Sequence, residues 1–598
     1  MGVHEFHRAQ NRKLSRLTQG SKEDWKFMSM SPAVSEVIAV SVGGVTVQLS
    51  AQSSGRSLSV GGLCVIQDDL SQAQIIAVVE SIRGRVASDQ DTENGDSARP
   101  VAQLTILGQI QNDGPTGQPS FKRGTDSFPV LGSKCWELAG DRLNEMLSSV
   151  TAAFRNEERL DLGTYVLSKT VRANASGSRF FQRHAAVVGS TGSGKSWTVA
   201  LLLERAKQLK GANIILFDLH GEYGPLGDKE TGFAKRLRLA GPGDLEDPSE
   251  DVLFLPYWLL SRDEMFSVVA DIRQESAYNQ ASRFARHITD LKEEWRDSQG
   301  LGAELRSITL DSPIPYELDE LLARLNHDDT EMVEGARAEK KGPWNGTLTK
   351  VIERLSARVN DRRNGFLFSA PADSMSPEWL AGMVSQLMCA DDEHPGIKII
   401  DFSEVPADLL AVATSTVARL LYIVQFWMQP EKRSPLCLIC DEAHLYLPKA
   451  ENADSGQSRA LETFERIAKE GRKYGVSLLV VSQRPSDVST TILSQCSNFI
   501  ALRLTNERDQ SAVRNLLPDS MKGISDILPI LDTGEALLIG DAVMLPTRIR
   551  LDKPRIAPTS ATKDFWTEWQ RHSGGPDVIS SAIRNLRRQS RICPHDAD

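Results

Sequence analysis

The stretch AAVVGSTGSGKSWTVA, residues 185–200, decides the fold of this chain. An apolar run leads into a glycine-rich loop, Gly189 to Ser196, and apolar residues resume directly after it. The loop fits the pattern G-x-x-x-x-G-K-S, in which backbone N–H groups curl around phosphate groups at the start of a helix. The stretch therefore predicts a strand, a phosphate-binding loop and a helix within an α/β fold.

Each position of this loop has an expected role in binding a nucleoside triphosphate. We expect Lys195 to reach the β- and γ-phosphates and the Ser196 hydroxyl to ligate Mg²⁺. The remaining positions would enclose the phosphates with their backbone: Gly189, Ser190, Thr191, Gly192, Ser193 and Gly194. ATP and Mg²⁺ are the predicted cofactors.

A second motif, LCLICDEAH at residues 436–444, predicts the hydrolytic pair. Its apolar residues form a strand that ends in an acid, which places that carboxylate at the carboxyl edge of the sheet, where ligands bind. Asp441 fits the acid associated with Mg²⁺, and Glu442 fits the base that polarises the attacking water. Adjacent Asp and Glu residues also distinguish the chain from GTPase switches, which position water differently.

A third motif, EGRKYGVSLLVVSQRP at residues 470–485, supplies the remaining catalytic candidates. We expect the amide of Gln483, at the strand end, to contact the γ-phosphate and the attacking water. In ring ATPases, a loop before such a strand can place an arginine in the neighbouring subunit's site. Arg472 is the first candidate for this trans finger, Arg503 is the second, and a surface salt bridge is the alternative.

The wider pattern predicts a parallel sheet covered on both faces. Six short apolar runs carry it: HAAVVG, ANIILFD, GIKIIDFS, PLCLICDE, GVSLLVVSQ and NFIALRL. Helical periodicity between the second and third runs predicts an insertion. GEALLIGDAVMLPTRIRLDKP, from residue 535, predicts a closing hairpin. Short glycine-punctuated strands between residues 36 and 111 predict a small β-barrel that serves assembly or docking.

These elements define the predicted organisation, an α/β fold with a RecA-like P-loop ATPase core, an N-terminal β-barrel and a helical insertion. The predicted boundaries are an N-terminal arm (1–32), the β-barrel (33–130), the first part of the core (131–245), the insertion (246–395), the second part of the core (396–555), and a C-terminal helix and tail (556–598).

Composition favours an ordinary globular protein. The 598 residues are 40% hydrophobic and 25% charged, and the net charge of -10 argues against a surface coated with basic residues for nucleic acid. The N-terminus shows no apolar signal region, so we expect a cytoplasmic protein. Cys437 and Cys440 lie three apart on a predicted strand, which favours two small buried residues over a zinc site.

One apolar segment, LLAVATSTVARLLYIVQFWM at residues 409–428, approaches the length of a membrane span. Arg419 at its centre, with nearby Thr, Ser and Gln residues, makes a lipid-facing helix unfavourable. We expect a long helix packed against the sheet and no membrane partner.

Taken together, the motifs resemble the HerA family, hexameric DNA-translocating ATPases of the FtsK–HerA branch. The resemblance covers nearly the whole chain, and it rests on the order of GSTGSGKS, FDLHGEYG (217–224), LPYWLL (255–260), DEAHLYLP, EGRKYGVSLLVVSQRPSDV and ILSQCSNFIALRLTN. It implies that Lys195 and Ser196 bind ATP and Mg²⁺ and that Asp441 and Glu442 form the hydrolytic pair. It also implies that Gln483 is the coupling sensor and Arg472 the trans finger.

The same resemblance places Asp218, His220 and Glu222 of FDLHGEY near the site. Two interpretations stay open for them: a supporting or inter-subunit role at the nucleotide, and local capping of a polar turn.

The function implied by the resemblance is a homohexameric ring that translocates along or unwinds double-stranded DNA. An effector would be supplied in trans, either a NurA-like nuclease or, in antiphage defence, a sirtuin-like NAD hydrolase or another effector. The alternative is an ATPase ring that acts mainly as an assembly scaffold and regulator of such an enzyme. A monomeric metabolic kinase fits less well, because no substrate-binding domain is evident.

A basic stripe is a candidate for DNA contact. Lys350, Arg354, Arg358 and Arg362 follow one another at four-residue spacing on a predicted helix, so they form a slanting row. A DNA-facing ridge, a solvated face and an inter-subunit ladder of salt bridges are all compatible with this spacing.

Overall fold

The computed structural model describes residues 35–42, 44–50, 58–67, 74–84, 99–111, 119–269, 277–334, 338–391, 395–517, 519–559, 565–570 and 575–589. They divide into two compact units, Met1–Ala153 and Phe154–Asp598. The predicted N-terminal arm (1–32) and the end of the predicted C-terminal tail (590–598) lie outside the described residues.

The first unit contains the predicted β-barrel. Its strands are β1 (Ser35–Ser41), β2 (Gly44–Leu49), β3 (Leu63–Gln67), β4 (Gln74–Arg83), β5 (Val101–Gln111), β6 (Ser120–Arg123) and β7 (Lys134–Glu137). Antiparallel pairing in the order β2-β1-β7-β3-β4-β5, with β5 returning to β2, closes a ring of strands, and β6 pairs with β5 outside that ring. Alternating β-branched residues such as Val45, Val47 and Ile75 fill the interior.

The predicted end of the barrel at residue 130 is wrong. Strand β7 begins at Lys134 and pairs with both β1 and β3, so the ring is complete only when it is included. Without β7, two strand edges would be left with unpaired backbone groups. The helix Gly140–Ala152 also belongs to the first unit.

The second unit is built on a twelve-stranded sheet in the order β13-β12-β16-β11-β17-β18-β10-β19-β20-β21-β8-β9. Its strands are β8 (Arg159–Tyr165), β9 (Ser168–Ser176), β10 (Ala185–Val188), β11 (Ile214–Asp218), β12 (Lys235–Leu239), β13 (Val252–Leu253), β16 (Ile397–Asp401), β17 (Leu436–Cys440), β18 (Val476–Ser482), β19 (Asn498–Ala501), β20 (Glu535–Gly540) and β21 (Thr547–Leu551). The short pair β14 (Met332–Val333) and β15 (Lys340–Lys341) forms a separate hairpin.

Pairing is parallel from β13 to β19 and antiparallel from β19 to β9. All six predicted apolar runs are strands of the parallel part, and the predicted closing hairpin is β20–β21, so both predictions are confirmed. Strands β8, β9, β12 and β13 lie outside those runs. β12 reads KRLRL, and its charged residues hide the apolar signal of a buried strand.

Helices cover the second unit. They span Gly177–Gln182, Lys195–Ala206, Arg262–Val269, Ala277–Ser298, Leu318–Thr330, Thr349–Asn360, Gly365–Phe368, Trp379–Met388, Ala407–Trp427, Ser455–Glu470, Thr490–Gln495, Glu507–Leu516, Phe565–Glu568 and Pro576–Arg588. Those from Arg262 to Met388 form the predicted helical insertion between β13 and β16. The insertion therefore begins after β13, which still pairs with the sheet.

The apolar segment that resembled a membrane span is the helix Ala407–Trp427. By length and composition it could cross a membrane, but 72% of its most apolar stretch is buried inside this unit. Its Arg419 donates hydrogen bonds to the carboxylate of Glu264, which is 3% exposed, with Nε and Oε1 3.0 Å apart. The helix shares a hydrophobic core with the sheet strands, so the prediction of a packed helix is confirmed.

The two cysteines of the C-x-x-C sequence both lie on β17 and are buried. Both are free, and burial raises the pKa of the Cys437 thiol to about 12. They are small buried residues, as predicted.

Half of the basic stripe is engaged within the chain. Arg358 forms an ion pair with Asp408 at 2.6 Å, and Arg362 forms one with Glu246 at 3.1 Å. These contacts favour a salt-bridged face over a DNA-facing ridge.

Candidate nucleotide site

The predicted phosphate loop joins β10 to the helix Lys195–Ala206 at the carboxyl edge of the parallel sheet. β10 lies between β18 and β19, and the loop is tied to the ends of both. The Gly189 N–H donates to the Ser482 carbonyl at 3.3 Å, and the Ser190 N–H donates to the Arg503 carbonyl at 2.8 Å. The loop is therefore anchored by its strand neighbours.

Three positions of this loop favour glycine for geometric reasons. Gly192 and Gly194 adopt φ values of 73° and 109°, which disfavour residues with a Cβ atom. A Cβ atom on Gly189 would lie 2.7 Å from the Cβ atom of Leu502. Lys195, the first residue of the helix, is only 9% exposed.

The hydroxyl of Ser196 and nearby carboxylates form the candidate Mg²⁺ site. Ser196 Oγ donates to Glu222 Oε2 at 2.7 Å. Asp441 follows β17 and is 4% exposed. Its pKa is raised well above the usual range, first by burial and then by the charges of Glu442, Asp218 and Glu222. A water-poor group of mutually repelling carboxylates beside a hydroxyl fits a hard divalent cation.

The donor set also suits Mg²⁺ held mainly by phosphates and water. Within the described ranges, no group of three or more His, Cys, Asp or Glu residues could hold a metal ion by itself. Mg²⁺ at phosphate sites usually takes one or two protein ligands and keeps several waters. Ser196 and Asp441 are the residues that would hold it.

Glu442 is strained and half-buried. Its backbone adopts φ 43° and ψ 43°, in the left-handed region that glutamate rarely occupies. Burial raises its pKa, which the nearby Lys195 charge partly counteracts. Its Oε2 atom lies 3.3 Å from Nδ1 of His444. A carboxylate with a raised pKa at this position is suited to accept a proton from water.

Gln483 contacts the phosphate loop directly. It follows β18, and its Oε1 atom accepts a hydrogen bond of 2.6 Å from the Thr191 hydroxyl. The predicted catalytic and phosphate-binding residues of one chain therefore converge at one edge of the sheet, with the exception of Arg472.

Arg472 lies at the opposite edge. It is exposed in the turn Gly471–Tyr474, which precedes β18, whereas the phosphate loop lies beyond the other end of that strand. β18 has seven residues, and at about 3.3 Å each they separate the two ends by about 23 Å. Arg472 therefore does not reach the nucleotide site of its own chain.

Arg503, the second candidate for the finger, lies near the phosphate loop, unlike Arg472. It follows β19 beside the phosphate loop, and its carbonyl accepts the Ser190 N–H. Its Nε atom is buried and has no hydrogen-bond partner among the described residues. Within its own chain, Arg503 is close to the loop.

The FDLHGEY segment forms a capped turn and also contacts the phosphate loop through Glu222. Asp218, fully buried, accepts the backbone N–H groups of His220, Glu222 and Tyr223 at 3.3, 3.1 and 3.0 Å. Burial, reinforced by the charge of Asp401, raises its pKa to about 6. Asp218 is therefore the turn cap, and Glu222 is the residue that this turn presents to Ser196.

One segment at the site was not predicted as part of it. Residues 552–559 follow β21 and run back along the helix Lys195–Ala206: Asp552 pairs with Arg205 at 2.7 Å, and the Arg555 N–H donates to Glu204 at 2.6 Å. The segment ends where Thr559 donates two hydrogen bonds to the Glu222 carbonyl, from its N–H at 2.8 Å and its hydroxyl at 3.0 Å. We call it the C-terminal strap.

Two protein-family models match the second unit. The central domain of helicase HerA matches residues 160–421, and the helicase HerA-like C-terminal domain matches residues 427–550. The two matches together contain the phosphate loop, the FDLHGEY segment, Asp441, Glu442 and Gln483.

Curated relatives match over similar lengths. The DNA double-strand break repair helicase HerA of Pyrococcus furiosus is 26% identical over 482 residues, 76% of this chain and 78% of the relative. The protein of the same description from Sulfolobus acidocaldarius is 28% identical over 479 residues, 79% of this chain and 81% of the relative.

Among solved structures, VirB4 of Thermoanaerobacter pseudethanolicus is similar with a TM-score of 0.43 and 17% identity, over 67% of this chain and 97% of that one. The plasmid coupling protein TrwB in complex with an ATP analogue gives a TM-score of 0.43 and 14% identity, over 71% of this chain and 94% of that one.

Proposed function

This chain belongs to the HerA family, and we propose that it is an ATPase that translocates along or unwinds double-stranded DNA. It acts in the cytoplasm as a homohexameric ring with an effector enzyme supplied in trans, either a NurA-like nuclease or, in antiphage defence, a sirtuin-like or other effector. The observation that carries the ATPase is the convergence of Ser196, Asp441, Glu442 and Gln483 on the phosphate loop. Support for DNA as the substrate comes from the relatives, which are described as DNA double-strand break repair helicases.

The residues divide the chemistry of hydrolysis between them. The loop N–H groups and Lys195 bind the phosphates, and Mg²⁺ when bound supplies a positive charge that stabilises the transferring phosphoryl group. Gln483 orients the attacking water, and the half-buried Glu442 carboxylate accepts its proton. Electrostatic stabilisation and positioning carry most of the rate in such reactions.

The location of Arg472 supports a ring. An arginine that is exposed about 23 Å from its own site can stabilise a phosphoryl transition state only in a neighbouring subunit. In a closed ring each subunit offers the carboxyl edge of its sheet to one neighbour and the edge that carries Arg472 to the other. Each nucleotide site is then completed by the next chain.

Two variants test the proposal. Lys195→Ala should lose nucleotide binding, whereas Glu442→Gln should bind ATP and fail to hydrolyse it. The wild-type protein should sediment as a hexamer, displace one strand of a DNA duplex in an ATP-dependent manner, and lose DNA affinity steeply with added salt. A monomeric protein whose turnover per chain is unchanged on dilution would contradict the ring, and ATP turnover without DNA binding or displacement would contradict the DNA activity.

A second candidate function, an assembly scaffold that regulates the effector, is favoured by the surface of the barrel. It exposes apolar side chains that an isolated barrel has no need to expose, among them Val42 (92%), Val60 (64%) and Leu131 (67%). If the Glu442→Gln ring supports full effector activity, the protein acts as a scaffold. If the effector requires ATP turnover, the protein acts as a motor.

A further inference from the structure

The backbone N–H, the backbone carbonyl and the carboxylate of Glu222 all have hydrogen-bond partners. Its backbone N–H donates to Asp218 Oδ1 at 3.1 Å, and its carbonyl accepts both hydrogen bonds from Thr559. Its carboxylate accepts the Ser196 hydroxyl at 2.7 Å. The backbone on both sides of the residue and the side chain itself are therefore fixed.

The hydrogen bond to Ser196 has a consequence for metal binding. A serine hydroxyl has one proton to donate and two lone pairs to offer. When the proton is held by Glu222, it cannot point toward a cation or a phosphate oxygen. The lone pairs of Ser196 are then left for Mg²⁺, which requires oxygen ligands in a nearly ideal octahedral geometry.

The acceptor of this proton is Glu222 of the FDLHGEY turn, which is adjacent to the segment that carries Asp441. Glu222 comes from the loop after β11, and Asp441 follows the neighbouring strand β17. A glutamate that served only to shape the turn would gain nothing from entering a site that already holds buried carboxylates. A divalent cation bound there would offset the repulsion between Glu222 and these carboxylates.

We propose that Glu222 is a positioning residue of the Mg²⁺ site, which orients the Ser196 hydroxyl, and that the C-terminal strap is part of the site because Thr559 fixes the Glu222 backbone. This inference rests on the proposed ATPase function. It links the segment that leads toward the last helices of the chain, 552–559, to the metal-dependent part of nucleotide binding.

The test is the dependence of nucleotide affinity on Mg²⁺. The affinity for a fluorescent ATP analogue is measured with Mg²⁺ and with EDTA, and Mn²⁺ binding in the presence of the analogue is followed by electron paramagnetic resonance. Glu222→Ala should keep the affinity in EDTA and lose about 10–100-fold of the gain that the metal provides, the range for residues that orient metal ligands. Glu222→Gln should lose less, because its amide oxygen still accepts the hydroxyl proton. Glu230→Ala, an exposed glutamate of the same region, is the matched control.

The strap is tested separately. Thr559→Val removes only the hydroxyl and should cause a small loss of the Mg²⁺-dependent gain, whereas Thr559→Pro removes the N–H as well and should cause a larger one. If Glu222→Ala and Glu222→Gln both show the wild-type gain in nucleotide affinity with Mg²⁺, the inference is overturned. The proposed ATPase function would not be affected by that result. If Glu222→Ala does not fold, Glu222→Gln alone decides. A wild-type protein that binds no nucleotide would overturn the proposed function itself.

Discussion

The Thr191 hydroxyl donates a 2.6 Å hydrogen bond to the side-chain oxygen of Gln483, and so joins the phosphate loop to the residue after β18. With its oxygen engaged by Thr191, the amide of Gln483 has its nitrogen as the donor that remains for a γ-phosphate oxygen or the attacking water. This contact connects the strand β18, whose other end carries the Arg472 turn, to the phosphate loop.

The nitrogen of Gln483 should therefore matter for hydrolysis more than for binding. Gln483→Glu keeps the size of the side chain but replaces the donor with a negatively charged acceptor. We expect turnover to fall by about 100-fold, the usual cost of losing one transition-state donor, with nucleotide affinity changed much less. Thr191→Val, which removes only the hydrogen bond to Gln483, should have a smaller effect. Steady-state kinetics and equilibrium binding separate the two, and equal losses in both would contradict the role of the nitrogen.

Arg472 should act only across a subunit boundary. Arg472→Ala should bind ATP and fail to hydrolyse it, and a mixture with Lys195→Ala subunits should recover part of the turnover, because each variant supplies what the other lacks. The neighbouring exposed cation offers a control, since Lys473→Ala should hydrolyse ATP normally. Wild-type turnover by Arg472→Ala, or a mixture with no recovered activity, would assign the finger to another residue.

Lys398 should make stability depend on pH in the alkaline range. It is fully buried on β16, it donates a hydrogen bond to the Cys389 carbonyl, and burial lowers its pKa to about 8 from the ordinary 10.5. Between these pH values the unfolded chain binds more protons than the folded one, so the contribution of this lysine to stability rises with pH through that window. Thermal unfolding midpoints measured from pH 7 to 10.5 should rise less in Lys398→Met than in the wild type. Identical pH profiles would show that the ammonium is not destabilised by burial.

Removing only one partner of the ion pair between Arg419 and Glu264 should destabilise the fold. It is enclosed between the helices Ala407–Trp427 and Arg262–Val269. Arg419→Met or Glu264→Gln should lower the free energy of unfolding by about 3–5 kcal/mol, because a buried charge is left without its partner. The double variant Arg419→Met/Glu264→Leu should recover much of that loss.

An exposed pair provides the control for this measurement. Removing the exposed Lys469, which pairs with Glu465 at 3.2 Å on the helix Ser455–Glu470, should cost less than about 1 kcal/mol. Urea unfolding followed by circular dichroism measures all these variants. A double variant that is as unstable as the sum of the single ones would contradict the explanation from unpaired charge.

Predictions that depended on local spacing were the accurate ones. The phosphate loop, the strands that end at Asp441 and Gln483 and the closing hairpin are each encoded within about ten to twenty neighbouring residues, where apolar periodicity and glycine positions act directly. The long helix around Arg419 was also predictable, because a charged residue at the centre of an apolar segment indicates a buried partner within the protein. The barrel boundary failed because β7 is short and is separated from β6 by a loop, so only its pairing with β1 and β3 identifies it.

By itself, the sequence determined the α/β core, the place of the glycine-rich loop between a strand and a helix, and the place of Asp441 and Glu442 at a strand end, since each is a property of one short segment. Only the tertiary structure decided that Glu222 receives the Ser196 proton, that Thr559 holds Glu222, and that Arg472 lies at the far edge of the sheet. The physical reason is that strand order and hydrogen-bond partners distant in sequence follow from how the sheet packs as a whole. A serine hydroxyl can donate its proton to any carboxylate nearby, and the fold decides which carboxylate lies within hydrogen-bond distance.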